Sequence, residues 1–432
     1  MGTVRISNGH VLRPDLTVTK AELLFDEKAG TIERIDRSVP AADRTLDATD
    51  CLIMPGLVNA HTHLAMTLLR GIADDKPVHA WLEEDIWPVE AELTTQDIRA
   101  GTELAALELI KSGTTTLCDM YFEIPTIASV IETAGLRARL GYGMVTAGKG
   151  EQAAEDELKR GLELARRLDG AADGRIRTAF MPHALTTVDL DLLEAMIPSV
   201  READIPIHFH ANENEAFVDP IVDAEHKRPI EFADDHGLLA PGDFIAHGVH
   251  LNQTEIDVLA DRDVSVIHCP ASNMKLASGI APVTTMLEAG VTVGLGTDGA
   301  ASNNDLDLFD ELRDAAMIGK IAESDARALP AATALRMATT EGANAVGLPG
   351  GELREGGVAD IAVVDFSAPN LRPTHDYVSH LVYAATGANV RHTICDGTVL
   401  MENRVVQTLD EDAVLGRAET RANQLIDRVG IV

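Results

Sequence analysis

The sequence predicts an α/β fold: a (β/α)8 TIM-like barrel over residues 53–348, with a small β-sandwich built from both termini, residues 1–52 and 349–432. Three observations predict it. From residue 53 to about 300, short apolar runs alternate with longer stretches whose apolar positions recur near every 3.6 residues. No Gly-rich GxGxxG follows the first run, which disfavours an open doubly wound sheet. Both ends of the chain carry short strand-like runs and turns, each set too small to bury a core alone.

Taken in order, Thr3 to Ile6 and Ala21 to Phe25 alternate as half-buried strands do. The barrel pairs then begin: Leu57 to Ala60 with a helix from Asp97 to Lys111, Thr114 to Asp119 with Ile124 to Thr133, and Ala138 to Met144 with Gln152 to Arg167. Leu104, Leu107, Leu109 and Ile110 illustrate the helical spacing. Further strands are expected at Ile176 to Met181, Ile205 to His210, Phe244 to His247, Val264 to His268 and Val291 to Thr297. Beyond residue 348 the β character returns in Asp360 to Val364, His392 to Cys395 and Thr398 to Leu400, and a polar helix from Glu411 to Val429 closes the molecule.

A chain of 432 residues, 45% of them hydrophobic, suits one large barrel plus a smaller module. There are 69 acidic residues against 36 basic ones, a net charge of -33, and nine of the basic residues are lysine. Such a surface repels nucleic acid and anionic lipid and points to a saline cytoplasm, where salt screens it. No apolar run approaches the roughly 20 residues that span a bilayer, and the opening MGTVRISNGHVLRPDL has no signal-peptide core, so a cytoplasmic protein with no membrane or nucleic-acid partner is expected, with a homo-oligomer left open. Cys51, Cys118, Cys269 and Cys395 lie far apart, which argues for buried reduced thiols rather than disulfides or a thiolate metal site.

In a barrel, reactive groups sit at the C-terminal ends of the strands. Those positions hold His61 and His63 on the first strand, His183 on the fourth, His208 and His210 on the fifth, His247 on the sixth, His268 on the seventh and Asp298 on the eighth. Alternate side chains share a strand face, so His61 and His63 form half of a metal site. Alone they could equally be a chance surface pair; the set of strand ends together could not. In HFHANENE, His210 lies at the mouth beside Glu213, which suits a ligand with a proton carrier three residues on. Glu213 alone could instead complement a helix dipole. Asp298, in Thr297-Asp298-Gly299, supplies an anionic ligand able to take a proton from water.

The chain resembles the amidohydrolase superfamily, through PGLVNAHTHLAM, HFHANENE, IAHGVHL, HCPASNMKLASGIAPV, GLGTDGAASNNDLDLFDELR and GGELREGGVADIAVVD. Within it the likeness is to the 5-methylthioadenosine/S-adenosylhomocysteine deaminases and their chlorohydrolase and guanine deaminase relatives. That resemblance implies one divalent metal per subunit, Zn before Fe or Mn, on His61, His63, His210 and Asp298. His247 would lie beside the attacking water and Glu213 beside the substrate's ring nitrogen, so that Glu213, His247 and Asp298 are catalytic. Binuclear members carry a bridging Lys at the end of strand four; here that strand reads RTAFMPH, which favours a single metal.

For the substrate, the resemblance implies Glu90 on the ribose hydroxyls and His183 on the purine or ribose, with Glu213 and Asp298 at the reacting ring. Trp87, with Trp81 in the long segment after strand one, offers aromatic cover for a flat ring or a thioether. The family's Arg after strand three is missing; only Lys149 stands there. Ser272, Asn273 and Lys275 read as loop braces, and His208 and His268 as supporting or packing residues. The implied reaction is hydrolytic deamination of a 6-aminopurine nucleoside, 5-methylthioadenosine and/or S-adenosylhomocysteine with adenosine as a third candidate, to the inosine analogue and ammonia. The alternatives are a deaminase or chlorohydrolase of guanine, a pyrimidine or a triazine, and a metal-binding barrel without activity.

Overall fold

The computed structural model describes residues 2–430. Its central strands pair in parallel in the order Leu57–Thr62, Thr114–Tyr121, Arg137–Met144 and then the split strand Ile176–Thr178 and Met181–Pro182. A second parallel set follows: His208–Ala211, Phe244–His247, Ser265–His268 and Val293–Leu295. Bridges Phe180 to Ile207 and Ala184 to His210 join the two sets on one side, and Thr62 to Asp298 joins them on the other, so the order of neighbours returns to its start. Arg137–Met144 and Thr114–Tyr121 are buried along their whole length, as strands covered on both faces must be. Helices including Thr95–Lys111, Ile124–Ala134, Glu151–Leu168 and Leu308–Glu323 fall between or after the strands.

The seam that carries Thr62 and Asp298 is locked by side chains. Asn59 donates to Thr297 Oγ1 at 2.8 Å and accepts from the Thr297 amide at 3.0 Å. Gly296 lets strand eight close on strand one, because a Cβ there would sit 2.8 Å from His61 Cβ.

The terminal strands form two further sheets. One has four strands, in the order Thr31–Asp36, Glu22–Asp26, Thr3–Ser7, Arg44–Asp47. The other has seven and mixes both ends of the chain: Ile361–Asp365 lies between Val390–Cys395 and Cys51–Pro55, which in turn neighbours His10–Leu12. Val4, Ile6, Leu23, Phe25, Ile53, Ile361, Val363 and Ile394 are among the residues of one buried apolar cluster that both sheets contribute to. Cys51–Pro55 straddles the boundary expected after residue 52, since its partner in the ladder is Ile361–Asp365. The last helix, Glu411–Val429, lies against Thr95–Lys111, where Arg421 and Arg428 reach the buried carboxylate of Asp97 at 2.7 and 2.6 Å. Arg137, itself buried, ties the parallel strands to the terminal sheet through Asp360 at 2.8 Å and Asp396 at 2.9 Å. All four cysteines are free and buried. Among the described residues, no helix is long and apolar enough to cross a membrane.

Candidate metal and active site

His61, His63, His210 and Asp298 converge. His210 Nε2 lies 3.2 Å from His61 Nε2 and 3.3 Å from His63 Nε2, while Asp298 Oδ1 is 3.1 Å from His63 Nε2 and 3.6 Å from His61 Nε2. A tetrahedral centre with bonds of about 2.0–2.1 Å has ligand-to-ligand edges about 1.63 times as long, about 3.3–3.4 Å. The four recorded edges bracket that value, so the donor set fits a cation of this kind.

The rings are held with Nδ1 engaged outward, so that each Nε2 is the nitrogen turned to the cluster. His63 Nδ1 donates to the Met120 carbonyl at 2.6 Å and His210 Nδ1 to that of His183 at 2.7 Å. His61 Nδ1 donates to His208 Nε2 at 3.0 Å, and His208 Nδ1 donates in turn to the Phe244 carbonyl at 2.9 Å. Such partners fix tautomer and orientation. Burial drives the pKa values of His61 and His210 well below the usual histidine value, so both are neutral. Burial also opposes charge on His63, but the adjoining Asp298 outweighs it and lifts that imidazole to about 9. Asp298 is likewise held ionised, well below the carboxylate range, because His63 overrides the effect of burial. The pair therefore draws positive charge to this point, whether a proton or a metal ion.

The backbone turns sharply where strands six and eight end. His247 has φ of 74° and Asp298 φ of 61°, left-handed conformations that cost non-glycine residues roughly 1–2 kcal/mol each. His247 Nε2 stands 3.9 Å from Glu213 Oε2, too far for a hydrogen bond and wide enough for an intervening atom. Burial raises the Glu213 carboxyl. The helix-dipole explanation of Glu213 does not hold: Asn214 caps the helix Glu215–Glu225, and Glu213 precedes it and faces the cavity.

That cavity collects every substrate residue expected from sequence, Glu90, His183, Glu213, Asp298 and Trp87, beside His63, His210 and His247. Glu90 is partly buried at the end of a helical segment starting at Val78, and desolvation raises its carboxyl. Its Oε1 accepts from Tyr121 Oη at 2.6 Å. His183 Nδ1 pairs with Thr187 Oγ1 at 3.0 Å, and burial lowers its imidazole to about 4. The tryptophans differ: Trp81 is buried at 5% exposure, and Trp87 is 37% exposed. Lys149 is outside the cavity, paired with Glu157 at 3.0 Å. His268 is buried away from the cavity lining, where burial lowers it to about 3.

Several contacts had no sequence signal strong enough to find them. Tyr121 closes strand two, two residues past the expected end, Asp119. Asp119 itself is buried and accepts from the Leu64 amide at 2.7 Å, fixing the turn just after His63. His208, expected to be supporting, is the residue that orients His61.

A model of the amidohydrolase family matches residues 52–400. The chain belongs to the amidohydrolase family. This is a family of metal-dependent enzymes, and its solved members imply a TIM-like barrel, in keeping with the parallel strands here. The chain is 57% identical over 438 residues to a 5-methylthioadenosine/S-adenosylhomocysteine deaminase of Haloquadratum walsbyi, covering 99% of each chain. It is 44% identical over 430 residues to a 5'-deoxyadenosine deaminase of Methanosarcina acetivorans, again over 99% of each. An adenosine deaminase from Xanthomonas campestris, solved with bound zinc, superposes with a TM-score of 0.92 at 36% identity, covering 99% of both chains.

Proposed function

We propose that this protein hydrolytically deaminates an adenine nucleoside, 5-methylthioadenosine and/or S-adenosylhomocysteine with adenosine as a third candidate, to the inosine analogue and ammonia. The observation that carries the reading is one cavity lined both by the Glu90 carboxylate, which suits a sugar's hydroxyls, and by the His63, His210, Glu213, His247 and Asp298 cluster, which suits a ring. The names and extent of the relatives support it. The closed order of parallel strands and the joint core of the terminal sheets support a (β/α)8 barrel with one β-sandwich from both termini.

His61, His63, His210 and Asp298 would hold a single divalent ion, zinc first and Fe or Mn as alternatives, and such an ion supplies a water made acidic near neutral pH and polarised for attack. Asp298, ionised, is the base that takes the water's proton through Oδ1, the oxygen turned to the cluster. His247 presents Nε2 to the same space and orients that water. Glu213, whose carboxyl is raised by desolvation, gives a proton to ring N1 as C6 becomes tetrahedral. Asp298 returns its proton to the amino group, ammonia leaves, and the C6 hydroxyl passes its remaining proton to the Glu213 carboxylate, which restores the acid and leaves the 6-oxo product. His183 stays neutral and pairs with the purine or ribose; Trp87 covers the mouth. Glu90 has one oxygen committed to Tyr121, leaving Oε2 for the ribose. A small-molecule nucleoside, and no nucleic acid or membrane, is the partner that this cavity suits, in a saline cytoplasm.

The test is ammonia release, in concentrated KCl, from 5-methylthioadenosine, S-adenosylhomocysteine, adenosine and guanine. Release from one or more of the adenine nucleosides supports the proposal. Release from guanine alone, or from none of the four, defeats it.

A further inference from the structure

The short helix Pro270–Lys275, after strand seven, touches the active site twice. Asn273 Oδ1 lies 3.0 Å from His247 Nδ1, and Ser272 Oγ donates to Asp298 Oδ2 at 2.6 Å. Ser302 donates to that same oxygen at 2.9 Å. Of the residues given metal or proton-transfer roles, His247 and Asp298 are the two with left-handed backbones, and they are the two this helix grips. Strained residues persist where their surroundings over-determine them.

We infer that Asn273 and Ser272, with Ser302, are positioning residues: one element sets the ring of His247 and the carboxylate of Asp298 together. An amide oxygen can only accept, so His247 donates from Nδ1 and turns Nε2 toward Glu213 and the cluster. Two hydroxyls on Oδ2 leave Asp298 Oδ1 as the oxygen facing His61 and His63. The helix is itself anchored. The Ala271 amide donates to the buried Glu311 at 3.3 Å, and Lys275 binds the Ala301 carbonyl at 3.1 Å and Asp74 at 2.7 Å. Ser272 and Asn273 are both buried, so they act through their partners and have no solvent role. They are more than braces for their own loop.

The kinetic arm of the test rests on the deaminase reading; the metal arm does not. Asn273→Leu should lower kcat by about ten to a hundredfold with KM within about threefold, the scale of lost orienting partners, and Asn273→Asp, which keeps the acceptor, should restore most of it. The Ser272→Ala/Ser302→Ala double variant should lose its metal to a chelator at about ten to a hundredfold lower concentration than the parent. Melting temperatures should stay within a few degrees. Equal loss in Asn273→Leu and Asn273→Asp, a change in KM instead of kcat, or parent-like metal retention in the serine variant would overturn the inference. If Asn273→Leu fails to fold, Asn273→Ser, too short to reach Nδ1, gives the same kcat reading. A parent enzyme that releases no ammonia sinks the deaminase reading, and the chelator arm still decides the role of the serines.

Discussion

Replacing Glu213 with Gln removes a proton carrier and little else. The amide has the carboxyl's shape, and Glu213 is not among the side chains whose donor atoms converge closely enough to hold a metal ion. General acid–base catalysis contributes about 10²–10⁴-fold, and each tenfold is about 1.36 kcal/mol of barrier. The variant should therefore lose about 3–5 kcal/mol of transition-state stabilisation, all of it in kcat. Metal content should be unchanged. The stability effect has the opposite sign. Burial raises the Glu213 carboxyl in the folded protein, so the folded state binds more protons than the unfolded one and stability falls as pH rises from the unfolded value through the folded one. At pH 7–8 the Gln variant avoids that loss, and its Tm should equal or exceed the parent's. Steady-state ammonia release, metal analysis and calorimetry make the check. Turnover within a few fold of the parent would remove Glu213 from proton transfer altogether.

Glu90→Ala should raise the nucleoside KM by roughly tenfold to a hundredfold, the value of one or more charge-assisted hydrogen bonds at about 1.5–3 kcal/mol; an unchanged KM would remove Glu90 from sugar binding. Chelation should abolish ammonia release and readdition of Zn²⁺ restore it, and excess metal should raise Tm, since an ion at a hundred times its Kd adds about 2.7 kcal/mol. Activity that survives complete metal removal contradicts the four-ligand site. With a net charge of -33, lowering KCl from about 1 M to 0.1 M lengthens the screening distance from about 3 to 10 Å, and Tm should fall; a flat salt profile would refute the reading of the surface. Arg137→Met leaves Asp360 buried and uncompensated and should cost about 3–5 kcal/mol in denaturant unfolding, whereas a loss below about 1 kcal/mol would show that Asp360 finds other partners.

What could be read in the sequence was what strand geometry dictates. A period of two puts His61 and His63 on one face, and the rule that reactive groups end parallel strands brings in His210, His247 and Asp298 without any knowledge of helix packing. The orienting contacts follow no such period. Whether Asn273 reaches His247, Ser272 reaches Asp298 or Tyr121 reaches Glu90 depends on how a six-residue helix and a long segment after strand one sit on the mouth, and nothing local encodes that. The same holds at the termini. Strand content there was legible, but Cys51–Pro55 pairs with Ile361–Asp365 across some 310 residues of chain, and its alternation would fit other neighbours equally well. The missing Arg after strand three has no stand-in that position alone can name: Lys149, the cation in that loop, pairs with Glu157 on the following helix. The proposed ligands are thus written at the strand ends, and what keeps them aimed is written in tertiary contacts; the Asn273 and serine variants separate the two, because they leave every proposed ligand in place.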